Sequence, residues 1–142
     1  MVVDASVALK WFLRDAPGED QERPALQLLE QAVGGQVQLW QPPHFLTEVA
    51  AVLARLKPEQ ALDDLHDLMQ LPLHRADTPD ILARAIELSV HLQHHLFDTL
   101  YHAVALQTPG ALCVTADRRY LAKAHPVGQI AWLGDYQPAR AT

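Results

Sequence analysis

Residues 97–120 read FDTLYHAVALQTPGALCVTADRRY. The first eleven residues have the periodic apolar pattern of a helix, and Pro109–Gly110 is a strong stop. Residues 111–115 are a short apolar run with β-branched Val114 and Thr115, the pattern of a buried strand. Asp117 follows two residues later and starts a second, shorter helix to about residue 124. Helix, buried strand and helix in such quick succession are the building pattern of a parallel sheet.

The rest of the chain repeats the pattern. Residues 1–3 form a very short apolar run. Asp4 and Ser6 then begin a helix-like stretch with Val7, Ala8, Trp11 and Phe12 on one side. Residues 14–20 read as a polar loop. Residues 22–33 read as a helix with Leu26, Leu29 and Val33 on one face, ended by Gly34–Gly35. A strand is expected over 37–40, and Pro42–Pro43 leads into a helix over 43–56. Residues 58–70 make another amphipathic helix with a stripe of Leu62, Leu65, Leu68 and Met69. A short strand over 71–74 and a helix over 78–91 follow, with Thr78 as N-cap and Pro79 at the first helical position. A last strand is expected over 129–133. Short apolar strands alternating with helices predict an α/β fold, with a parallel sheet covered on both faces. No linker or internal repeat divides the chain, so residues 1–142 read as a single domain.

Bulk properties narrow the function. A chain of 142 residues can bury a proper core. Its formal net charge of -6 argues against a module that holds nucleic acid by phosphate neutralisation alone. Any RNA binding therefore needs a local basic patch or bound cations. The one cysteine, Cys113, lies in the apolar run ALCV and reads as a buried, inert thiol. MVVDAS carries no signal-peptide pattern, and no apolar stretch approaches about 18 residues, the length of a membrane span. The expected location is cytoplasmic.

In open parallel sheets, ligands bind beyond the carboxyl ends of the strands. Asp4 directly follows the first strand, and Asp117 follows the strand over 111–115. Asp98 opens the helix before that strand. Glu48 lies one to two turns into the helix over 43–56, at the edge of an apolar stripe of Phe45, Val49, Val52, Leu53 and Leu56. Asp4, Asp98 and Asp117 each have a plain alternative as helix N-caps. Glu48 has none, and a carboxylate beside a core-facing stripe is unusual without a partner. If the four converge, carboxylates about 5 Å apart repel by roughly 3 kcal/mol per pair at an effective dielectric near 20. Hard oxygen ligands suit magnesium or manganese, and two divalent ions would balance four negative charges. Such ions can activate water and steady the leaving oxygen of a phosphodiester.

VVDASV at the start, TEVA around Glu48, FDTLYHAVAL around Asp98 and TADRRY around Asp117 together resemble the four motifs of PIN-domain nucleases. The nearest type is the VapC toxin of bacterial toxin–antitoxin pairs, and the resemblance runs from residue 1 to about 133. It implies a three-layer α/β/α sandwich with a central parallel sheet of about five strands. It implies a magnesium-dependent endoribonuclease, with manganese as substitute, whose metal-coordinating catalytic acids are Asp4, Glu48, Asp98 and Asp117. Ser6 and Thr115 would support the site by hydrogen bonds to the carboxylates or to metal-bound water. The resemblance also implies a homodimer blocked by a VapB-like antitoxin. The apolar faces of the second and fourth helices are candidate dimer surfaces. Phe97 stands where tyrosine is common and Thr99 where alanine is usual, which puts substrate preference, not the acids, in question. Arg118 and Arg119 are candidate RNA contacts, with solvated surface charge as the alternative.

Rival readings are weaker. His91 and His95 are four apart, as are Asp98 and His102, which invites a zinc site. However, the first pair straddles an expected helix end, and there is no HExxH or paired-cysteine motif. His102 either borders the acids or packs. A phosphatase of the haloacid-dehalogenase type would want an aspartate where Ser6 stands. A receiver domain would want paired acids before its first helix, and no glycine-rich phosphate loop is present. The best rival from another class is a non-catalytic PIN-fold interaction or RNA-binding protein, which would have no reason to keep four mutually repelling carboxylates.

Overall fold

The structure, a computed structural model, describes residues 1–13 and 21–137. The loop expected at 14–20 lies outside the described residues. The elements in chain order are β1 (Val2–Val3), α1 (Ala5–Phe12), α2 (Glu22–Val33), β2 (Leu39–Gln41), α3 (Phe45–Leu56), α4 (Ala61–Met69), β3 (Leu73–Arg75), α5 (Pro79–Leu92), α6 (Leu96–Gln107), β4 (Cys113–Thr115), α7 (Arg118–Ala124) and β5 (Ile130–Trp132). Single-turn 3-10 helices follow α7 and β5. Every expected strand and helix among the described residues is present, with ends shifted by at most three residues.

Strands β1, β4 and β5 pair in parallel in the order β1-β4-β5, and β2 pairs in parallel with β3. The two groups meet at β1 and β2. The Met1 amine donates to the Gln38 carbonyl at 3.0 Å, and Trp40 N–H to the Met1 carbonyl at 2.9 Å. The next rung of a parallel ladder would need a donor from Pro42, which has no N–H. The buried Gln41 side chain takes its place. Its Oε1 accepts from Val3 N–H at 2.9 Å, and its Nε2 donates to the Val3 carbonyl at 2.7 Å. The result is a five-stranded order, β3-β2-β1-β4-β5, continued across one side-chain amide.

This order makes the chain reverse direction. It travels outward from β1 to β2 and β3 through α1–α4, then returns through α5 and α6 to β4 on the other side of β1. Right-handed crossovers then place the two helical groups on opposite faces. Helix α1 packs on α2, α3, β1 and β4, while α6 packs on α5, β1, β2 and β4. This is a three-layer α/β/α sandwich, and the reversal between β1 and β4 is its topological switch point. The turn into β4 uses Gly110 at φ +72°, a left-handed conformation that glycine adopts without penalty.

Three helical stripes differ from expectation. In α2 the buried positions are Ala25, Leu28 and Ala32, and Val33 is 66% exposed. The small alanines allow a close approach to α1, where Trp11 Nε1–H donates to the Ala25 carbonyl at 2.9 Å. In α4 only Leu68 is buried, and Leu62 is 83% exposed. In α3 the stripe is Phe45, Val49 and Leu53, with Leu56 exposed at the helix end. Helix α5 leaves Leu82, Ile86 and Val90 exposed at four-residue intervals along one face. Cys113 is buried between β1 and β5 as expected, and burial pushes its thiol well up. No helix among the described residues is long and apolar enough to cross a membrane.

Candidate metal centre

The switch point brings the carboxyl ends of β1 and β4 side by side, and the expected acids gather there. Asp4 leaves β1 and holds the N-cap position of α1, yet its carboxylate makes no cap hydrogen bond. It is bound instead by two hydroxyls, Ser6 Oγ to Oδ1 and Thr115 Oγ1 to Oδ2. Each hydroxyl also accepts from the β4–α7 turn, Ser6 from Ala116 N–H at 3.0 Å and Thr115 from Asp117 N–H at 2.9 Å. Ser6 and Thr115 thus weld the two strand ends together through Asp4.

Asp117 is a true N-cap. Its Oδ1 accepts from Arg119 N–H at 2.9 Å and Tyr120 N–H at 3.2 Å, so Oδ2 is the oxygen not used by the cap. Asp98 is not a cap, because α6 begins two residues earlier and His95 holds the N-cap position. Asp98 lies in the first turn, where the helix dipole favours a negative charge. Its Oδ2 accepts from His94 Nε2–H at 2.8 Å. Glu48 is half-buried on α3, at the edge of the buried stripe, with its Oε2 3.4 Å from His44 Nε2.

The four are electrostatically coupled. Asp4 retains some solvent contact, but desolvation by the surrounding protein dominates and pushes its pKa up to about 6. Its two hydroxyl partners oppose that shift, and the charges of Asp98 and Asp117 add to it. Desolvation also pushes Glu48 up, to about 7, reinforced by Asp98 and Asp4. The basic side chains nearest the acids are imidazoles, His44 at 3.4 Å from Glu48 and His94 at 2.8 Å from Asp98, and burial pushes the His44 pKa down, away from the charged form. Two carboxyls held near neutrality by burial and by each other are what a missing positive charge produces.

His94, Asp98 and Asp117 form the tightest group, with one ligand atom from each within 4.8 Å of the others. Asp4 and Glu48 are not part of that tight group. His94 escaped the sequence reading, although its spacing of four from Asp98 was visible. Its position comes from the α5–α6 turn. Gln93 adopts a left-handed φ of 49°, and Ser89 Oγ donates to the His94 carbonyl at 2.6 Å. Lys123 Nζ then donates to the Gln93 carbonyl at 3.0 Å and lies 3.2 Å from His94 Nδ1. Beside these acids opens a cleft of about 540 Å³, lined by His94, His95, Asp98, Asp117, Arg119 and Lys123.

The remaining candidates separate clearly. Arg119 lines the cleft, whereas the Arg118 guanidinium stacks 4.2 Å from the Trp132 ring. His102 is fully buried and packs. Its Nε2–H donates to the Gly128 carbonyl at 2.7 Å, and Tyr120 O–H donates to Nδ1 at 2.8 Å. Thr99 is buried too, and its hydroxyl donates to the Ala85 carbonyl at 2.9 Å, tying α6 to α5. That departure from the motif is a packing adaptation. Phe97 is exposed at the rim, its ring 5.4 Å from His44.

The donor set is mostly carboxylate oxygen with one imidazole, suited to a hard or borderline divalent cation. Two further observations fit such an ion. The pKa values of Asp4 and Glu48 are raised, and the buried Tyr101 hydroxyl beside Glu48 completes no hydrogen bond of full geometry.

Comparison with known proteins gives the family and the fold. The profile of the PIN domain family matches residues 1–126, a span that contains all four acids. Among solved structures, the fold is similar to that of VapC20 of Mycobacterium tuberculosis, described as a sarcin–ricin loop cleaving toxin. The TM-score is 0.63 and the identity 17%, over 85% of this chain and 92% of that one. Sequence comparison with curated proteins gives no match. With the family profile running from β1 past Asp117, over most of its length, this chain belongs to the PIN domain family.

Proposed function

We propose that the protein is a magnesium-dependent endoribonuclease, the toxin of a type II toxin–antitoxin pair. One observation carries this reading. The acids expected from separate parts of the sequence meet at the topological switch point, with the pKa values of Asp4 and Glu48 driven upward by burial and mutual repulsion. Membership of the PIN family and the likeness to a VapC toxin support the activity class and the toxin role.

In this reading Asp4, Glu48, Asp98 and Asp117 hold divalent cations, magnesium with manganese as substitute. When bound, such ions supply the positive charge that activates water and stabilises the leaving oxygen of a phosphodiester. The chain's own groups do the rest. Ser6 and Thr115 fix both oxygens of Asp4, so that carboxylate cannot swing. His94 orients Asp98, and the α7 cap orients Asp117. Arg119 and Lys123 stand on the cleft wall, placed to bind RNA phosphates beside the acids. They supply the local basic patch that a chain of net charge -6 needs.

The reading extends to partners. A VapB-like antitoxin would present a cationic tail to the acidic cleft. A homodimer would cover one of the exposed apolar faces, on α4 (Leu62 and Met69) or on α5 (Leu82, Ile86 and Val90).

The test is cleavage of a mixed RNA pool by wild type with magnesium, by wild type with EDTA, and by Asp4→Asn and Asp98→Asn. Cleavage is expected in the first arm alone. Activity that survives EDTA or either substitution overturns the metal mechanism. Wild type that binds RNA but cuts none favours a non-catalytic RNA-binding protein.

A further inference from the structure

Tyr101 is the largest fully buried side chain among the described residues, and its hydroxyl completes no hydrogen bond of full geometry, although the Glu48 carboxyl lies close enough to interact with it. Buried polar groups are nearly always satisfied, so such an exception calls for a reason. Its place in the fold suggests one. Tyr101 is three residues after Asp98 on α6, hence on the same helical face, and a helical side chain leans back toward the N-terminus. His44 packs on its ring at a centroid distance of 4.7 Å, and Phe45 meets it edge-on at 6.3 Å. Those two residues belong to the start of α3 and its N-cap, the segment that carries Glu48. The ring is walled in, and the charges that bear on its oxygen are Glu48 first, then Asp4 and Asp98. An otherwise apolar slot thus delivers one loosely held donor to the underside of the acid group.

We propose that Tyr101 is a positioning residue for the cation site, its loose contact with Glu48 closing to a full hydrogen bond when a divalent cation is bound. This rests on the reading that the four acids hold such a cation. A carboxylate that turns one oxygen to a cation still has lone pairs to satisfy, and a fixed donor behind it sets its orientation. Tyr101 is the buried donor available there. The ordered pair would lower the cost of fixing Glu48, which sits half-buried and otherwise meets only His44 at 3.4 Å. Without a cation the pair stays loose and contributes little to the fold.

The consequence is an unusual pair of effects. Tyr101→Phe removes only the hydroxyl. Its metal-free thermal midpoint should stay close to that of wild type, because the loose contact with Glu48 offsets little of the cost of burying the hydroxyl. Its dissociation constant for manganese, read by EPR of the free ion, should weaken about 10-fold, at the low end for loss of a supporting partner. In a Glu48→Gln background the same substitution should leave manganese binding unchanged, since the carboxylate it acts on is gone.

The outcomes separate the two ideas. Wild-type manganese affinity in Tyr101→Phe overturns the role of Tyr101 and leaves the carboxylate site standing. A variant that loses metal-free stability, or does not fold, shows a structural hydroxyl and overturns the role equally. An equal weakening in the Glu48→Gln background shows that Tyr101 does not act through Glu48. Wild type that binds no manganese removes the cation site, and the proposal with it.

Discussion

Asp4 and Asp117 occupy equivalent places, each just beyond the end of neighbouring parallel strands and each at the N-cap of the following helix. By sequence position the two are indistinguishable. The structure uses them in opposite ways. Asp117 spends one oxygen on the backbone of α7 and leans over an open cleft. Asp4 caps no backbone N–H of α1, and two hydroxyls clamp it, one from Ser6 of α1 and one from Thr115 of β4. The bonding of Asp117 is therefore secured by the backbone of its own helix, whereas that of Asp4 depends on side chains, one of them 111 positions away. The same residue type at the same kind of position is a helix cap in one case and a buried, high-pKa carboxylate in the other.

The largest effects should come from replacing the two aspartates themselves. Each of Asp4→Asn and Asp117→Ala is expected to lower magnesium-dependent RNA cleavage by more than about 100-fold, because even a supporting partner of a metal ligand costs 10–100-fold. Stability should divide them. Asp117→Ala loses its cap, about 1 kcal/mol, or roughly 3–4 °C in the midpoint of a chain this size. Asp4→Asn has no cap to lose and removes a buried charge, so its metal-free midpoint at pH 8 should stay level or rise. A clear fall for Asp4→Asn in calorimetry would break the contrast.

A pH scan sharpens the same contrast. Asp4 rises from 3.8 to about 6 and Glu48 from 4.5 to about 7. A carboxyl whose folded pKa exceeds its unfolded value keeps a proton that the unfolded chain has already released. Its stabilisation is complete below about pH 4 and is lost as pH rises to about 7. At about 1.36 kcal/mol per unit, Asp4 supplies most of a loss on the order of 3 kcal/mol. Glu48 contributes less because its side chain is 33% exposed and screened. Urea unfolding of metal-free protein should thus show stability falling between pH 4.5 and 7, with magnesium restoring most at the alkaline end. A metal-free profile that rises over this range would show that other groups govern it.

Next in size are the hydroxyls. Ser6→Ala and Thr115→Val each free one oxygen of Asp4 and leave Asp117 its cap. Each should cost about 10–100-fold in cleavage and about 1–3 kcal/mol of stability, from losing a hydrogen bond to a charged group. An unchanged rate in both would mean that Asp4 holds its orientation without them.

The contrast also explains what the sequence could show. Strands, helices and the arrival of acids at one sheet edge are local patterns, so residues 97–120 announced their elements. Bonds between distant residues left no local trace. Gln41 stands in for the missing donor of Pro42 only because β2 lies beside β1. Helix faces were misjudged where small residues were buried, as at Ala25 and Ala32, because hydrophobic size misleads when backbones approach closely. Asp98 reads as a cap because the sequence pattern starts α6 one residue late. His94 carries no motif of its own, and its role appears only once the α5–α6 turn and Lys123 are in place.

The smallest effect should come from the residue that looks most like a nucleic-acid contact. Arg118 and Arg119 are adjacent, equally charged and both exposed, yet they leave α7 in different directions. Arg119 faces the cleft beside Asp117, while Arg118 lies flat on Trp132 of β5. In a cleavage-dead Asp98→Asn background, Arg119→Ala should weaken single-stranded RNA binding for all sequences and lower the salt slope by about 0.7–1. Arg118→Ala should leave that slope where it was and cost only about 0.5–1 kcal/mol of stability, the value of an exposed cation–π contact. Equal slopes for the two variants would mean that RNA crosses the face of β5 as well as the cleft. The substrate path would then run over both strand ends on this side of the sheet, and the basic wall of the cleft would no longer define it.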